Sequence, residues 1–142
     1  MFKRLLILAL PLLIVAGGAH AAEKSGEKTK EVGQYVDLQP VALPIVVGGQ
    51  LVNYVFVYVR INLTRGADVI KIREKEPDFR DVLVRDGHRT PFVLPRDWEK
   101  IDEAKLAAVV ARDAAAITGP GVVSSVVVTS QVPQKHVSTP RS

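Results

Sequence analysis

Apolar and polar positions alternate most sharply over residues 51–63, LVNYVFVYVRINL. Val55, Val57, Val59, Ile61 and Leu63 fall on one face at period two, and Tyr54, Phe56, Tyr58, Arg60 and Asn62 on the other. This pattern predicts a strand with an aliphatic face for a core and a largely aromatic face whose role is open. Upstream, YVDLQPVALPIVV at residues 35–47 is β-prone but carries Pro40 and Pro44. Proline cannot donate to a ladder, so this run is expected as an edge strand or two short pieces. Gly48 and Gly49 between the two runs predict a tight turn and an antiparallel hairpin.

Thr64, Arg65 and Gly66 break the pattern, and residues 67–76 suit either a short helix or a further strand. Pro77 fits the first position of a helix, where its missing N–H costs nothing. Phe79, Val82 and Leu83 define its apolar stripe, and Gly87 reads as its terminator. RTPFVLP at residues 89–95 reads as a loop or short extended link, and Trp98 as the seal of a core edge. A second helix follows Asp102, a good N-cap, with Ile101 and Leu106 at the two staple positions. Its alanine-rich body buries Leu106, Val109, Val110 and Ile117 and ends at Gly119 and Pro120. Residues 121–132 predict a last strand with Val122, Val126, Val128 and Val132 on one face. Strand, strand, helix, helix, strand is an α+β order: a mainly antiparallel sheet of three to four strands with two helices.

The N-terminus changes where this domain is placed. Lys3 and Arg4 precede a continuous apolar stretch, residues 5–15, and Ala19, His20 and Ala21 form a cleavage-like motif. Residues 1–21 are read as a signal peptide cleaved before Ala22 or, alternatively, as a hydrophobic helix anchoring the chain through residues 5–22. Either form exports the rest: a polar linker at 22–34, a domain at 35–134 and a flexible polar tail at 135–142. The expected location is the periplasm, with inner-membrane attachment if the segment is retained.

Charge argues against a nucleic-acid partner. The chain carries 19 basic and 15 acidic residues, a net charge of +4; without Lys3 and Arg4 this falls to +2. The charges interleave, as in KIREKEPDFRDVLVRD, where a phosphate-tracking surface needs clustered Lys and Arg. With no cysteine, thiolate metal sites and thiol nucleophiles are excluded. Of the three histidines only His88 lies inside the domain, without a His or Cys companion. The carboxylate pairs, such as Asp78 with Asp81, are flanked by Lys or Arg, as in surface ion pairs. The serines lack a nucleophile elbow, and no glycine-rich phosphate loop is present. The expectation is a protein that is not an enzyme and uses no cofactor or metal.

Four stretches together resemble the flagellar basal-body-associated FliL family: YVDLQPVALPIVVGGQLVNYVFVYVRINL; EKEPDFRDVLVRDG with Arg80 and Asp81; the amphipathic second helix; and the valine-rich strand ending in SQVPQ. They span residues 35–134. The resemblance implies a periplasmic domain similar to stomatin-type (SPFH) domains, and a scaffold role around the stator units and basal body of the flagellar motor that supports torque, motility and chemotaxis. It also implies homo-oligomers. The competing readings are a stomatin-like assembly factor for a secretion or pilus system, and a periplasmic binding or hydrolytic protein.

Under this reading the candidate partner or oligomer surface is the aromatic row Tyr54, Phe56 and Tyr58, together with the charged helix face of Asp78, Arg80, Asp81 and Arg85. The simpler alternatives are aromatic stacking against sheet neighbours or a loop, and plain solvation of the helix.

Overall fold

The computed structural model describes residues 33–138. The segment expected as signal peptide or anchor (1–21), the hydrophobic helix expected there, nearly all of the expected linker and the last residues of the expected tail lie outside the described residues. The described chain is α+β, with a four-stranded antiparallel sheet and three helices.

Strand β3 (Gln50–Leu63) is the spine of the sheet, and its aliphatic face is buried as the alternation requires. The proline-interrupted run forms two pieces, β1 (Tyr35–Asp37) and β2 (Val41–Val47), both antiparallel to β3. They share one edge of it: β1 faces residues 60–62, and β2 faces residues 50–57. The β2–β3 hairpin closes through Gly48 and Gly49, both with positive φ (58° and 77°), as a two-residue turn between right-twisted strands demands. Strand β6 (Val123–Pro133) occupies the other edge of β3.

Helix α1 (Val69–Glu74) resolves the ambiguous segment. The Asp68 carboxylate caps it by accepting from the N–H groups of Ile70 and Lys71, and Ile72 is buried. Helix α2 (Glu76–Arg89) follows directly, with Pro77 in its first turn and Phe79, Val82 and Leu83 inward. Gly87 does not terminate it. This glycine is buried two residues before the helix end, and a Cβ there would lie 2.7 Å from Leu43 Cδ2. Its role is close approach of the helix to β2.

The link after α2 is also more ordered than the sequence suggests. β4 (Val93–Leu94) and β5 (Asp97–Ile101) pair as a small hairpin around Pro95 and Arg96. Phe92 beside it is fully buried, and Trp98 packs half-buried against the core. Helix α3 (Glu103–Thr118) has the expected cap: Asp102 Oδ1 accepts from the Lys105 N–H at 3.0 Å, and Ile101 and Leu106 are both buried. Its buried stripe is Leu106, Val110 and Ala114, with Val109 and Ile117 only half-buried. The helices and the β4–β5 hairpin cover one face of the sheet. The core lies between them, centred on Leu43, Ile45, Val55, Val57, Ile61, Phe79, Leu83 and Val110.

The last strand departs from the expected phase. Val128 pairs with Val59 and Ser130 with Tyr58, so Thr129 is an extra residue in β6. This bulge reverses the alternation beyond it. Val126 and Val128 face the core, but Val132 lies opposite Phe56 on the other face and is 47% exposed.

Candidate interaction surface on the outer sheet face

The face of the sheet turned away from the helices bears the aromatic row. Even-numbered residues of β3 from Tyr54 to Asn62 point there, because each alternates with a buried neighbour. Tyr54 is half-buried beside its cross-strand partner Pro44. Phe56 and Tyr58 are 39% and 40% exposed, and among the described residues no element covers them. Of the simpler expectation for this row, stacking against sheet neighbours or a loop, no loop among the described residues covers these two, and their neighbours are those of the sheet.

The surface is wider than the row picked out by sequence. Phe56 is flanked by Ala42 on β2 and Val132 on β6, and Arg60 by Asp37 on β1 and Val127 on β6. Tyr35 sits opposite Asn62, and Leu51 opposite Val46 across a bulge at Val52. Of the eight large apolar side chains exposed in the described residues, six belong to this face: Tyr35, Leu51, Phe56, Tyr58, Val127 and Val132. Scattered exposure of such side chains is ordinary, and their concentration on one face makes it the candidate surface.

One end of the face is polar. Arg60 makes a bidentate pair with Asp37, Nε to Oδ1 at 2.7 Å and Nη2 to Oδ2 at 3.0 Å. Its guanidinium also lies 3.8 Å from the Tyr35 ring centroid. The hydrogen bond from Arg60 holds the Asp37 carboxyl below its ordinary pKa. This fork and the ring contact place a charged border beside the aromatic centre of the patch. The Arg60–Asp37 pair was not read from the sequence, because the two residues are 23 positions apart.

The second set of candidate residues sits elsewhere. Asp78, Arg80, Asp81 and Arg85 lie on α2, on the opposite side of the sheet from the aromatic row. Each has a partner on its own helix or cap: Lys75 with Asp78 at 3.6 Å, Glu76 with Arg80 at 3.7 Å, and Asp81 with Arg85 at 3.3 Å. Spacings of three and four residues make these neighbours on any helix. The candidate residues therefore form two separate surfaces.

Beside Arg85, a groove between α2 and α3 has a volume of about 250 Å³ and is lined by Asp86, Arg89, Thr90, Phe92, Lys105, Val109 and Arg112. Asp86 is buried and joins the helices through Arg112 at 3.3 Å. Arg112 also grips Asp113 at 2.8 Å, which lowers the Asp113 pKa. The lining holds three basic side chains to one acidic, and Asp86 pairs with two of them, Arg112 and, at 4.0 Å, Arg89. Among the described residues no group of three His, Asp or Glu side chains is placed to hold a metal ion. No helix among them is long and apolar enough to cross a membrane.

Residues 135–137, assigned to the tail by sequence, are bonded to the domain. Asn53 is 2% exposed on the inner face. Its Nδ2 donates to the carbonyls of Trp98 (3.0 Å) and Lys135 (2.9 Å), and its Oδ1 accepts from the Tyr54 and Lys135 N–H groups. Glu99 accepts from the Val137 N–H at 2.8 Å and lies 3.3 Å from His136 Nδ1.

No protein-family model matches the chain, and no curated protein matches it.

Proposed function

We propose that this protein is a non-enzymatic scaffold of the bacterial envelope that works by surface docking, and that its client is the flagellar motor. In this reading the domain is periplasmic and stomatin-like. It is exported by its N-terminal segment or held by it in the inner membrane, and it supports stator assembly or torque.

The observation that carries the docking part is the uncovered aromatic face around Phe56 and Tyr58. Aromatic side chains bring large contact area at low entropic cost, and interface centres are enriched in them. The Arg60–Asp37 fork supplies a polar rim of the kind that borders such centres. The flagellar part rests on the resemblance of residues 35–134 to the FliL family.

Deleting the gene tests the reading. The expected outcome is reduced swimming with filaments still built. Normal swimming in a clean deletion strain overturns the motor assignment. Recovery of an envelope transporter, with no stator or basal-body protein, would move the scaffold to a secretion or pilus system.

A further inference from the structure

Basic residues that stand apart in the sequence are gathered by the fold at one place. The groove between α2 and α3 draws Arg89 from the last turn of α2 and Lys105 and Arg112 from α3. Asp86 is the acidic side chain of its lining. It is buried and held by Arg112 at 3.3 Å, so the 4.0 Å approach of Arg89 reaches a carboxylate that is already engaged. Arg112 is in turn held by Asp113, which stands just outside this lining. Among the described residues the Lys105 ammonium has no ion-pair partner. Three cations against two carboxylates leave one positive charge in excess, and it falls to Arg89 and Lys105. α2 ends and α3 begins at this groove, so the opposite partial charges of the two helix ends offset one another.

We infer that this groove is a binding site for a phosphate group, held by Arg89, Lys105 and the Thr90 hydroxyl. Arg89 brings a fork of N–H donors, Lys105 a compact charge and Thr90 a hydroxyl, from two helices and the residue that ends α2. A carboxylate has two oxygens in one plane, which a single arginine fork satisfies; a tetrahedral phosphate accepts on several sides and uses all three donors. The cavity is concave and its floor is apolar: Phe92 is fully buried and Val109 half-buried. An apolar wall focuses the field of the cations above it. A volume of about 250 Å³ takes one such group, and the basic stripe that a nucleic-acid strand needs is absent here. The same chemistry is presented by inorganic phosphate and by the headgroup of an acidic phospholipid. The site goes beyond the scaffold reading, because it lies on the helix side of the sheet, away from the aromatic face.

Calorimetric titration and thermal melting of the purified full chain test the site. Inorganic phosphate is expected to bind saturably and to raise the melting temperature, and chloride at equal ionic strength to do neither. Arg89→Gln and Lys105→Gln are each expected to weaken phosphate binding about tenfold, the scale of one charge-assisted hydrogen bond. Without phosphate, Lys105→Gln is expected to melt no lower than the wild type, because it removes repulsion and no ion pair. Lys71→Gln, on α1, is expected to bind phosphate as the wild type does. Glycerophosphoglycerol, a soluble phospholipid headgroup, separates the two sources: tighter binding than inorganic phosphate assigns the groove to a lipid, and weaker binding to free phosphate. The inference is overturned if neither probe binds saturably, if chloride acts equally, or if Lys105→Gln binds as tightly as the wild type. It is also overturned if Lys71→Gln loses as much, or if Lys105→Gln melts early without phosphate. Should Arg89→Gln melt early through its contact with Asp86, Lys105→Gln decides. Swimming of the deletion strain bears on the motor assignment alone and leaves the outcome of these titrations untouched.

Discussion

The side-chain nitrogen of Asn53 lies 3.0 Å from the carbonyl oxygen of Trp98, and this bond ties the start of β3 to the β4–β5 hairpin. A second bond from the same nitrogen reaches Lys135, so one buried carboxamide holds three chain segments. Buried polar groups left without partners cost roughly 1–3 kcal/mol each. Asn53→Ala strands two carbonyls and is expected to destabilise the domain by about 3 kcal/mol, read as a lower urea midpoint. Asn53→Asp should be at least as harmful, because it removes both donors and turns a carboxylate toward two carbonyl oxygens. A loss below about 0.5 kcal/mol, the scale of a surface change, would contradict this role.

Gly87 and Leu43 set the distance between α2 and β2. An added Cβ would stand 2.7 Å from Leu43 Cδ2, and Leu43 is itself buried, so it has little room to yield. Overpacking costs about 1–3 kcal/mol, against about 1 kcal/mol gained by alanine over glycine inside a helix. Gly87→Ala is expected to lose about 1 kcal/mol net, and Gly87→Val more. Gly87→Ala paired with Leu43→Ala should lose less than the sum of the two single changes, because the smaller residue at 43 removes the clash. Thermal unfolding of the four proteins checks this.

The two faces of β3 should respond in opposite ways to truncation. Ile61→Ala empties a fully buried position and is expected to cost about 3 kcal/mol. Phe56→Ser and Tyr58→Ser alter exposed positions and are expected to leave the melting temperature nearly unchanged while reducing recovery of partner proteins in a pull-down. A large drop in stability from either serine variant would mean that these rings complete the fold and do not serve docking.

Acid should weaken the domain. The hydrogen bond from the Val137 N–H, then that from His136, holds the Glu99 carboxyl below its ordinary pKa. Arg60 does the same for Asp37, and Arg112 for Asp113. A carboxyl whose pKa is depressed by folding adds stability above its unfolded value, and that stability is lost as pH falls through the folded value. The melting temperature is therefore expected to hold near neutrality and to decline below about pH 4, where unfolded carboxylates take up protons. Glu99→Gln should shallow that decline and free residues 135–137, seen as earlier proteolysis of the C-terminus. A melting temperature that rises on acidification would contradict the assignment.

The sequence by itself determined what local physics controls. Alternation along β3 assigned every residue from Tyr54 to Leu63 to its correct face, because strand period is a property of the backbone. The paired glycines placed the hairpin, and Asp102 with Ile101 and Leu106 placed the start of α3, because turns and caps are short-range. The aromatic row was legible for the same reason. Only the tertiary structure decided the rest. The bulge at Thr129 turned Val132 from the core to the outer face, and a bulge is set by the partner strand and leaves no mark in the alternation of β6. Gly87 read as a terminator because glycine commonly ends helices, whereas its missing side chain serves contact with a residue 44 positions earlier. Asn53, Asp37 with Arg60, and Asp86 with Arg112 find their partners across the fold, and distances in space between such residues are fixed by packing, which sequence separation does not encode.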